Sequence, residues 1–425
     1  MSERDAVPDS RATRASVLGM LLLVYTFNFI DRQIVGILAA PIKADLGLSD
    51  TQLGALGGLA FALFYTALGI PIAVIADRRS RTWIITIALL LWSGFTALCG
   101  LATGFWQLFL CRVGVGVGEA GGVAPAYSLI ADYFPSAQRG RALAIYSLGI
   151  PVGSAAGVLL GGWIASAVDW RTAFLAVGLI GIGIAPLFRL IVREPPRGRF
   201  DSQAVSATAA AVPIGAVFAH MLRKPSFLLL SFGASCSSIV GYGLMFWLPS
   251  FFLRSLGMTL FDVSLFYGAL LLVGGVIGVL GGGILADRLG AAQRSAYALV
   301  PATAFVIAIP FYVAGVLSTM PLLSFLLLLP PTALGLLWLG PVLAALQHLA
   351  PPAMRATASA LFLFVNNLIG IGGGTLFFGF VSDTLGASPG NTSLRDAILI
   401  GLGFYAVAAA LFFAAAKHLD ADWEP

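Results

Sequence analysis

Twelve stretches of the chain are long and apolar enough to cross a lipid bilayer. A membrane-spanning helix needs about 20 mostly apolar residues, because the hydrocarbon core is about 30 Å thick and backbone polar groups must be satisfied within the helix. Short polar breaks separate the stretches. The candidate spans are residues 15–41, 51–76, 82–103, 104–132, 138–167, 171–191, 226–252, 262–286, 295–317, 321–349, 353–381 and 394–417. This pattern predicts an all-α membrane protein with twelve transmembrane helices.

The composition supports a membrane protein rather than a soluble one. Of the 425 residues, 59% are hydrophobic and only 10% are charged, whereas soluble domains carry about 25% charged residues. The chain therefore has too few charges to cover a surface in water, and the lipid bilayer is its expected partner. The first span is not interpreted as a cleaved signal peptide, because it is too long and contains Asp31 and Arg32.

Several classes of function lack their usual sequence features. No nucleophile–base pair, metal-ligand cluster or nucleotide motif is visible, so we expect no enzyme, no primary pump, no cofactor and no metal site. Cys99, Cys111 and Cys236 all fall inside apolar spans, which favours apolar packing over disulfides. The net charge of +5 does not predict nucleic-acid binding, because the basic residues follow the topology of the spans.

The Lys and Arg residues lie mainly in one set of connections between the spans. If the spans alternate in direction, eighteen of the 24 basic residues face one side and four face the other, while Arg32 and Arg112 remain inside spans. The four on the sparse side are Lys43, Arg171, Arg254 and Arg395. Cytoplasmic loops are enriched in Lys and Arg. Both termini are therefore predicted to be cytosolic, and the short tails and Ala/Gly/Leu-rich composition favour a bacterial inner membrane.

The chain divides into two halves that repeat a local motif. Ile75-Ala76-Asp77-Arg78 closes the second span and Leu285-Ala286-Asp287-Arg288 closes the eighth. Between the halves, a polar segment rich in Pro, Ser and Ala predicts a cytosolic linker with a short amphipathic helix. The predicted organisation is an N-terminal tail at 1–14, a six-helix bundle at 15–191, a linker at 192–225, a second six-helix bundle at 226–417 and a tail at 418–425.

The repeated motif resembles the loop signature G-x-L-A-D-R-x-G of the major facilitator superfamily. The second copy, from Gly283 to Gly290, matches it closely, whereas the first copy has Ala73 and Ser80 at the two glycine positions. The resemblance implies two parallel six-helix repeats with a substrate site at their interface near the midplane of the membrane. It also implies that the charged motif residues latch the two halves on the cytosolic side. These gating residues are Asp77, Arg78, Arg81, Asp287 and Arg288.

Glycines recur at every fourth position along the fifth span, at residues 149, 153, 157 and 161. Such a stripe lies on one helix face and lets a neighbouring helix approach closely. The same stretch partly resembles an antiporter motif of the superfamily, with Pro151 between two of the glycines but no Gly-Pro pair. Close packing and a role in antiport both remain open interpretations.

Four charged residues lie deep inside apolar spans: Asp31 and Arg32 in the first, Arg112 and Glu119 in the fourth. A charge in the hydrocarbon region costs several kcal/mol, so these residues are expected to face a cavity and one another. Arg112 and Glu119 are seven residues apart and therefore share a helix face, about 10 Å apart along the axis. Arginine binds phosphate or carboxylate through a two-pronged fork, while a buried carboxylate can exchange a proton.

These properties predict a site for an anionic or zwitterionic substrate, formed by Arg32, Arg112, Asp31 and Glu119. Asp31 and Glu119 are the predicted proton-coupling residues. In the predicted cycle a substrate anion competes with Glu119 for Arg112, and the released acid takes up a proton. The alternative is that the acids and bases form static pairs that only hold the two spans together.

The charged segments resemble the spinster branch of the superfamily. The resemblance rests on Asn28-Phe29-Ile30-Asp31-Arg32 and on the segment from Arg112 to Ala120, and it extends through the fifth span. It implies a lysolipid or sphingolipid substrate, such as sphingosine-1-phosphate, and a proton-driven cycle. In the second half, Phe246, Trp247, Phe251, Phe252 and Trp338 are the aromatic residues available for an apolar wall.

The predicted function is proton-coupled secondary transport of an amphipathic anionic or zwitterionic substrate by alternating access, in a protein expected to be a monomer. The pattern around Arg112 and Glu119 is also similar to organic-anion transporters of the superfamily. Two alternatives therefore remain: a proton-coupled carrier of small organic anions such as sugar acids, and a membrane sensor that does not transport.

Overall fold

The computed structural model describes residues 10–200, 213–290, 293–351, 354–386 and 392–424, and no strand occurs among them. Twelve helical segments are long and apolar enough to cross a membrane. They are Arg11–Leu46, Asp50–Arg78, Arg81–Cys99, Phe105–Tyr133, Gln138–Ala167, Trp170–Ile191, Pro225–Ser255, Leu260–Leu285, Ala296–Leu317, Pro321–Leu349, Thr357–Leu385 and Ser393–Ala416. The predicted all-α class and the number of spans are confirmed. We number the spans in this order.

Several spans are interrupted where glycine weakens the helix. The fourth span ends a first helix at Glu119 and resumes at Val123, so a three-residue turn directly follows the buried acid. In the second and eleventh spans the helix widens to π-helical turns, at Ala55–Leu59 and Leu368–Gly373. Such turns are rare and often occur at functional sites. The interruption of the fourth span thus lies next to the buried Glu119, and those of the second and eleventh spans lie where these two spans pack together.

Side-chain caps fix where some spans begin. Ser49 accepts a hydrogen bond from the Gln52 N–H at 3.2 Å, and the Gln52 side chain accepts one from the Ser49 N–H at 2.9 Å. This reciprocal pair is a capping box, which satisfies two N–H groups that a helix start would leave unpaired. Asp169 caps the sixth span by accepting from the Thr172 N–H at 2.7 Å. That bond lowers the pKa of Asp169.

The chain forms two compact units by contact. The first contains the described residues up to Leu38 and those from Leu63 to Phe200, and the second contains Ala39–Ala62 and the described residues from Pro213 onward. The end of the first span and the start of the second thus belong to the second unit, although they come from the first half of the sequence. The predicted domain boundaries at 191/192 and 225/226 remain a prediction.

In the first unit, the glycine stripe of the fifth span lies against the first span. A Cβ added to Gly157 would lie 2.8 Å from the carbonyl oxygen of Ile30, and one added to Gly153 would collide with that of Thr26. The two backbones are therefore in contact, which no larger residue would permit. The close-packing interpretation is confirmed, and a role in antiport remains a prediction.

In the second unit, the start of the second span packs on the eleventh. A Cβ on Gly54 or Gly58 would collide with Thr375. The Thr375 hydroxyl donates to the Gly54 carbonyl at 2.7 Å, and the Trp247 indole N–H donates to the Thr375 carbonyl at 2.8 Å. Glycine therefore allows two backbones to meet, and hydrogen bonds fix their register.

The described parts of the predicted linker divide between the two units. Val192–Phe200 belongs to the first unit. Ile214–Leu222 forms a helix in the second unit, as expected for the short linker helix. The residues between 200 and 213 lie outside the described part of the chain.

Candidate functional site: a buried charge cluster in the first unit

The structure brings the four predicted charged residues together inside the first unit. Asp31 and Arg112 are 1% exposed and Glu119 is fully buried, while the Arg32 side chain is 13% exposed. Two acids and two bases leave the cluster without net formal charge, which reduces the cost of placing charge in a medium of low dielectric constant.

Arg32 and Glu119 form a direct ion pair within the cluster. Arg32 Nε donates to Glu119 Oε2 at 2.8 Å and joins the first span to the fourth. The guanidinium of Arg32 also lies 5.1 Å from the ring centre of Phe29 and 4.6 Å from that of Tyr65. Cation–π contacts of this kind hold the planar group in place. Arg32 is therefore oriented by rings and paired with a buried carboxylate.

Arg112 lies beside both buried acids of the cluster. Its Nη1 donates to the backbone carbonyl of Asp31 at 3.4 Å, and its charge acts on the carboxyl groups of both Asp31 and Glu119. Arg112 and Glu119 share a helix face as predicted, yet the hydrogen-bonded partner of Glu119 is Arg32.

Three polar residues around the acids were not assigned a role from the sequence. The Asn28 side chain faces Glu119, while Trp92 and Thr96 of the third span face Asp31. All three are almost fully buried. Trp92 and Thr96 lie four residues apart and so share one face of a helix. That spacing was the available signal, but nothing in the sequence indicated that this face points at Asp31.

The buried cluster contains polar atoms with no hydrogen-bond partner among the described residues. These atoms are Asn28 Oδ1, Asp31 Oδ1, Trp92 Nε1, Thr96 Oγ1 and Glu119 Oε1. A buried polar atom that makes no hydrogen bond costs about 1–3 kcal/mol, and most such atoms in native proteins are paired with protein or water. One oxygen of each acid is thus available to a ligand, a proton or water.

The glycines of the fourth span make room for the third span at this site. A Cβ added to Gly118 would lie 2.6 Å from the backbone nitrogen of Trp92, and one added to Gly122 would lie 3.7 Å from its ring. Glycine on either side of Glu119 therefore lets the indole lie against the fourth span. The glycine-rich sequence around Glu119 has this packing function, and it contains no phosphate loop.

Of the five predicted gating residues, Arg81 has a defined set of partners. It is 1% exposed and forms ion pairs with Asp132 and, at 2.7 Å, with Glu194. Its guanidinium also donates to the Ser128 side chain at 2.8 Å and to the Pro195 carbonyl at 3.1 Å. These contacts all lie within the first unit and tie the start of the linker to the third and fourth spans.

For the other four predicted gating residues the structure gives mainly their exposure to solvent. Asp77, Arg78 and Arg288 are exposed, and the side chain of Asp287 lies outside the described residues. The gating role implied by the superfamily resemblance therefore remains a prediction for all five.

Glu194 is a titratable group of the linker with a defined environment. Partial burial alone would raise its pKa, but the Thr82 N–H and the side chains of Arg81 and Ser80 donate to the carboxylate. These donors stabilise the charged form and lower the pKa of Glu194 below its ordinary value of 4.5.

A second charged cluster, in the second unit, was missed from the sequence. Asp50 is 2% exposed and accepts two hydrogen bonds from Arg254, at 2.7 Å and 2.8 Å. Lys43 donates to the same carboxylate at 2.5 Å, and the Ser382 hydroxyl at 2.7 Å. Asp383 accepts from the Asp50 and Thr51 N–H groups at 3.1 Å and 2.7 Å and so caps the second span.

In the sequence, Lys43 and Arg254 mark only the topology of the spans. Both residues belong to the side of the membrane that has only four Lys and Arg residues. An acid at the start of a span on that side, such as Asp50, could have been predicted to pair with them. Their separation in sequence hid the pairing, since Asp50 and Arg254 are 204 residues apart.

The aromatic residues expected to form an apolar wall belong to the core of the second unit. Trp247, Phe251 and Phe252 are fully buried, and Phe246 and Trp338 are nearly so. Phe246 lies where a Cβ on Gly57 would collide with it. Their bulk is used in helix packing, which corrects the expectation that they are free to line a cavity.

No group of three or more His, Cys, Asp or Glu side chains in the described part of the chain is arranged to hold a metal ion. The chemistry available at the charge cluster is therefore that of guanidinium forks, carboxylates and buried polar groups.

Comparison with known proteins identifies the family. The model of the Major Facilitator Superfamily matches residues 21–375. An MFS-type efflux pump of Mycolicibacterium smegmatis is 36% identical over 385 residues, which cover 91% of this chain and 88% of that protein. Protein spinster homolog 1 of Xenopus tropicalis is 30% identical over 433 residues, with 96% and 82% of the two chains covered.

A solved structure with similar coverage is that of a bacterial homolog to the human lysosomal transporter Spinster, in an inward-facing and unoccupied conformation. It is 32% identical to this chain, with a TM-score of 0.88, and the match covers 98% of this chain and 99% of the other. The fold and the resemblance predicted from the sequence are thus confirmed. The chain belongs to the Major Facilitator Superfamily and is a multi-pass membrane transporter of the spinster type, not an enzyme.

Proposed function

We propose that the protein is a proton-coupled secondary transporter of an amphipathic anionic or zwitterionic substrate, and that it works by alternating access. The proposed substrate class is lysolipids and sphingolipids, such as sphingosine-1-phosphate. The observation that carries the proposal is the ion pair between Arg32 and the fully buried Glu119, at 2.8 Å, beside Asp31 and Arg112.

The coupling mechanism follows from charge balance in the cluster. A substrate phosphate or carboxylate that binds the fork of Arg32 displaces Glu119 and adds negative charge to a site that was neutral. In a medium of low dielectric constant an uncompensated charge is costly, and a proton taken up by Glu119 or Asp31 restores neutrality. Because linkage is reciprocal, protonation in turn favours binding of the anion.

Each charged residue has a distinct part in this mechanism. Arg32 binds the anionic group of the substrate directly, and Arg112 stabilises that group and the backbone of Asp31. Asp31 and Glu119 exchange protons, and either carboxylate suits the amine of a zwitterionic lipid. The static-pair alternative is less favoured, because each acid keeps one oxygen without a donor among the described residues.

A carrier of small organic anions, such as sugar acids, is the second candidate. It is favoured by the burial of Trp247, Phe251 and Phe252 in the core of the second unit, which removes them from any apolar wall for a lipid tail. Both candidates use the same arginines, so they differ only in what surrounds the anionic group.

We further propose that the protein is a monomer in a bacterial inner membrane, with both termini in the cytosol. The bias of basic residues supports this orientation. Two contacts agree with it: Arg14 lies 5.5 Å from the ring of Phe200 at the start of the linker, and Asp422 accepts from the Ser226 N–H at 2.9 Å at the linker's end. Arg14 and Asp422, near the two ends of the described chain, thus each lie close to a part of the linker in their own unit.

The test is transport in proteoliposomes, with sphingosine-1-phosphate and glucuronate as the two probes. We expect a pH gradient to drive uptake of the lipid by wild type. Asp31→Asn and Glu119→Gln should lose the effect of the gradient yet keep exchange at equal pH, because they mimic the protonated acids. The control Asp262→Asn, at an exposed carboxylate, should behave as wild type. Unchanged gradient-driven uptake in both acid variants would refute the coupling.

Arginine variants test substrate binding separately. Arg32→Ala and Arg112→Ala should weaken stabilisation of the purified protein by the lipid, at about pH 5.5 and at about pH 7.5. A lost charged hydrogen bond of about 1.5–3 kcal/mol corresponds to roughly 10–150-fold weaker binding. If glucuronate is transported and the lipid neither binds nor competes, the assignment moves to the organic-anion carrier.

A further inference from the structure

We propose that the first unit binds the phosphate group of an anionic phospholipid where the third span begins and the sixth span ends, with Arg189 as the principal ligand and Trp83 as the ring that orients it. The inference involves none of the four residues of the charge cluster. It does not depend on which substrate the protein carries, because this lipid is a bound component of the membrane and is not transported.

Arg189 lies at the end of a span and has no acidic partner. It belongs to the last turn of the sixth span, and no hydrogen bond or ion pair joins it to another described residue. Its Nε is buried, while the side chain as a whole is half-buried, so part of the guanidinium stays accessible. A buried donor without an acceptor is costly. A ligand with acceptor oxygens would therefore stabilise this end of the span.

The indole of Trp83 holds the guanidinium of Arg189 in place. The guanidinium carbon lies 5.0 Å from the centre of the ring, and Trp83 is 50% exposed at the start of the third span. A cation–π contact orients an arginine without using its N–H donors. Tryptophan is typical of the membrane–water interface. The stacked pair therefore presents oriented donors at the depth of the lipid head groups.

The connections at this end of the first unit carry a large surplus of positive charge. They contain nine Arg and only three acidic residues, in segments 73–84, 128–141 and 186–200. Two of the acids, Asp132 and Glu194, are both paired with Arg81, and the third is the exposed Asp77. A surplus of this size attracts negative charge from outside the protein.

Two further arginines extend the positive charge beside the stacked pair. Arg79 precedes Trp83 by four residues, and Arg193 follows Arg189 by four. Both are exposed. Arg197 donates to the backbone carbonyl of Arg79 at 2.7 Å, which holds the start of the linker against the start of the third span. A phosphate bound to Arg189 would thus lie in a region of positive potential that both segments create.

Apolar side chains beside the stacked pair face the bilayer. Ile87 follows Trp83 by four residues on one face of the third span and is 51% exposed, while Leu190, next to Arg189, is 76% exposed. A Cβ added to Gly183, earlier in the sixth span, would meet nothing within 4 Å. The acyl chains of a lipid held at Arg189 would therefore find open apolar surface on both spans.

The charge surplus selects a head group of net negative charge. A phosphate accepts both prongs of an arginine fork, and basic pockets between membrane helices bind anionic head groups. A zwitterionic head group also carries a cation, which the surrounding arginines repel, and Arg81 already holds Asp132 and Glu194. Phosphatidylglycerol is therefore the appropriate probe, and phosphatidylcholine is its zwitterionic counterpart.

Thermal stabilisation of the purified protein in a neutral detergent measures the interaction. The probes are phosphatidylglycerol, phosphatidylcholine with the same acyl chains, and inorganic phosphate. We expect phosphatidylglycerol alone to raise Tm, and Arg189→Gln to weaken its apparent affinity roughly tenfold or more. Raising the salt from about 0.1 M to about 1 M should also weaken binding, because the Debye length falls from about 10 Å to about 3 Å.

Matched variants separate a lipid site from a defect in folding. Without lipid, Arg189→Gln should keep the wild-type Tm within about 1 °C, since Arg189 has no hydrogen-bond partner among the described residues. Arg189→Lys keeps the charge but loses the fork, and should bind with intermediate affinity. Trp83→Leu removes the ring and should also weaken binding. Arg223→Gln, the same change at an exposed arginine of the second unit, should bind as wild type.

Three results would overturn the inference: unchanged affinity for phosphatidylglycerol in Arg189→Gln, equal stabilisation by phosphatidylcholine, or equal stabilisation by inorganic phosphate. Arg32→Ala separates this site from the proposed substrate site. It should lose stabilisation by sphingosine-1-phosphate and keep stabilisation by phosphatidylglycerol, whereas Arg189→Gln should do the opposite. Phosphatidylglycerol that stabilises wild type and Arg32→Ala equally, but not Arg189→Gln, supports the lipid site whichever substrate is transported.

Discussion

Replacing Asp50 by asparagine tests how strongly the second charged cluster holds the second unit together. The carboxylate is 2% exposed and receives both prongs of Arg254, at 2.7 Å and 2.8 Å. Asparagine keeps the shape and one acceptor oxygen, but it removes the charge that Arg254 and Lys43 share. The perturbation is therefore mainly electrostatic.

The expected cost can be worked from the burial of each partner. Hydrogen bonds to charged groups contribute about 1.5–3 kcal/mol, and breaking a buried pair costs about 3–5 kcal/mol. The Arg254 side chain is 14% exposed and that of Lys43 is 35% exposed, so solvent screens the lysine and it adds less than about 1 kcal/mol. Since asparagine retains one acceptor, we expect Asp50→Asn to cost about 2–3 kcal/mol.

Thermal unfolding in detergent provides the measurement. The second unit contains roughly 240 residues, and for a unit of that size 1 kcal/mol shifts Tm by about 2 °C. Asp50→Asn should therefore lower Tm by about 4–6 °C. Asp262→Asn, at an exposed carboxylate that accepts from Thr259 at 2.6 Å, should shift it by less than about 1 °C.

A double-mutant cycle isolates the pair itself. Arg254→Gln alone should destabilise by a similar amount, and the combined variant should cost less than the sum of the two, with a coupling of about 1.5–3 kcal/mol. Additive effects, or a Tm for Asp50→Asn equal to that of the control, would refute the assignment of Asp50 and Arg254 as a strong buried pair.

Three further predictions concern packing, pH and the tail. Gly153→Leu should prevent folding, because its side chain would collide with a backbone carbonyl of the first span, whereas Gly183→Leu should give a normal monodisperse peak in size-exclusion chromatography. Because folding lowers the pKa of Glu194, its carboxylate should stabilise the folded protein above about pH 4.5 and lose that effect as the pH falls below this value. Acidification below about pH 4.5 should therefore lower the Tm of Glu194→Gln less than that of wild type. Asp422→Ala removes the cap on the Ser226 N–H and should lower Tm by about 1–4 °C.

The spans could be predicted closely from the sequence because their length is set by the thickness of the bilayer. The ends of the observed spans differ from the predicted ones by five residues at most. The close packing of the glycine stripe could also be predicted, since a repeat of four fixes one helix face. These features depend only on local sequence and on the solvent, and neither requires knowledge of which helix is the neighbour.

The pairing of charges could be predicted only in part. Spacing placed Arg112 and Glu119 on one face of the fourth span, but the partner that Glu119 binds is Arg32. Periodicity gives the direction of a side chain relative to its own helix and says nothing about the rotation of a neighbouring helix. For the same reason the sequence did not indicate that Trp92 faces Asp31, or that Asp50 meets Arg254.

The two charged clusters contain the same numbers of acids and bases, but they differ in whether every carboxylate oxygen accepts a hydrogen bond. Each contains two acids and two bases, and neutrality alone would suit either to a static role. At the second cluster every carboxylate oxygen of Asp50 and Asp383 accepts at least one hydrogen bond. At the first, Asp31 and Glu119 each keep a buried oxygen without a donor among the described residues.

This difference implies different functions for the same residue types. A saturated carboxylate gains nothing from a proton, which would break bonds already made, so Asp50 and Asp383 are suited to hold the second and eleventh spans together. An unsaturated buried carboxylate pays a desolvation cost that a proton, a water or a substrate amine relieves. Asp31→Asn should therefore alter the pH dependence of transport with little loss of Tm, whereas Asp50→Asn should lower Tm and leave the pH dependence unchanged. The reverse pattern would show that saturation does not separate coupling residues from structural ones in this protein.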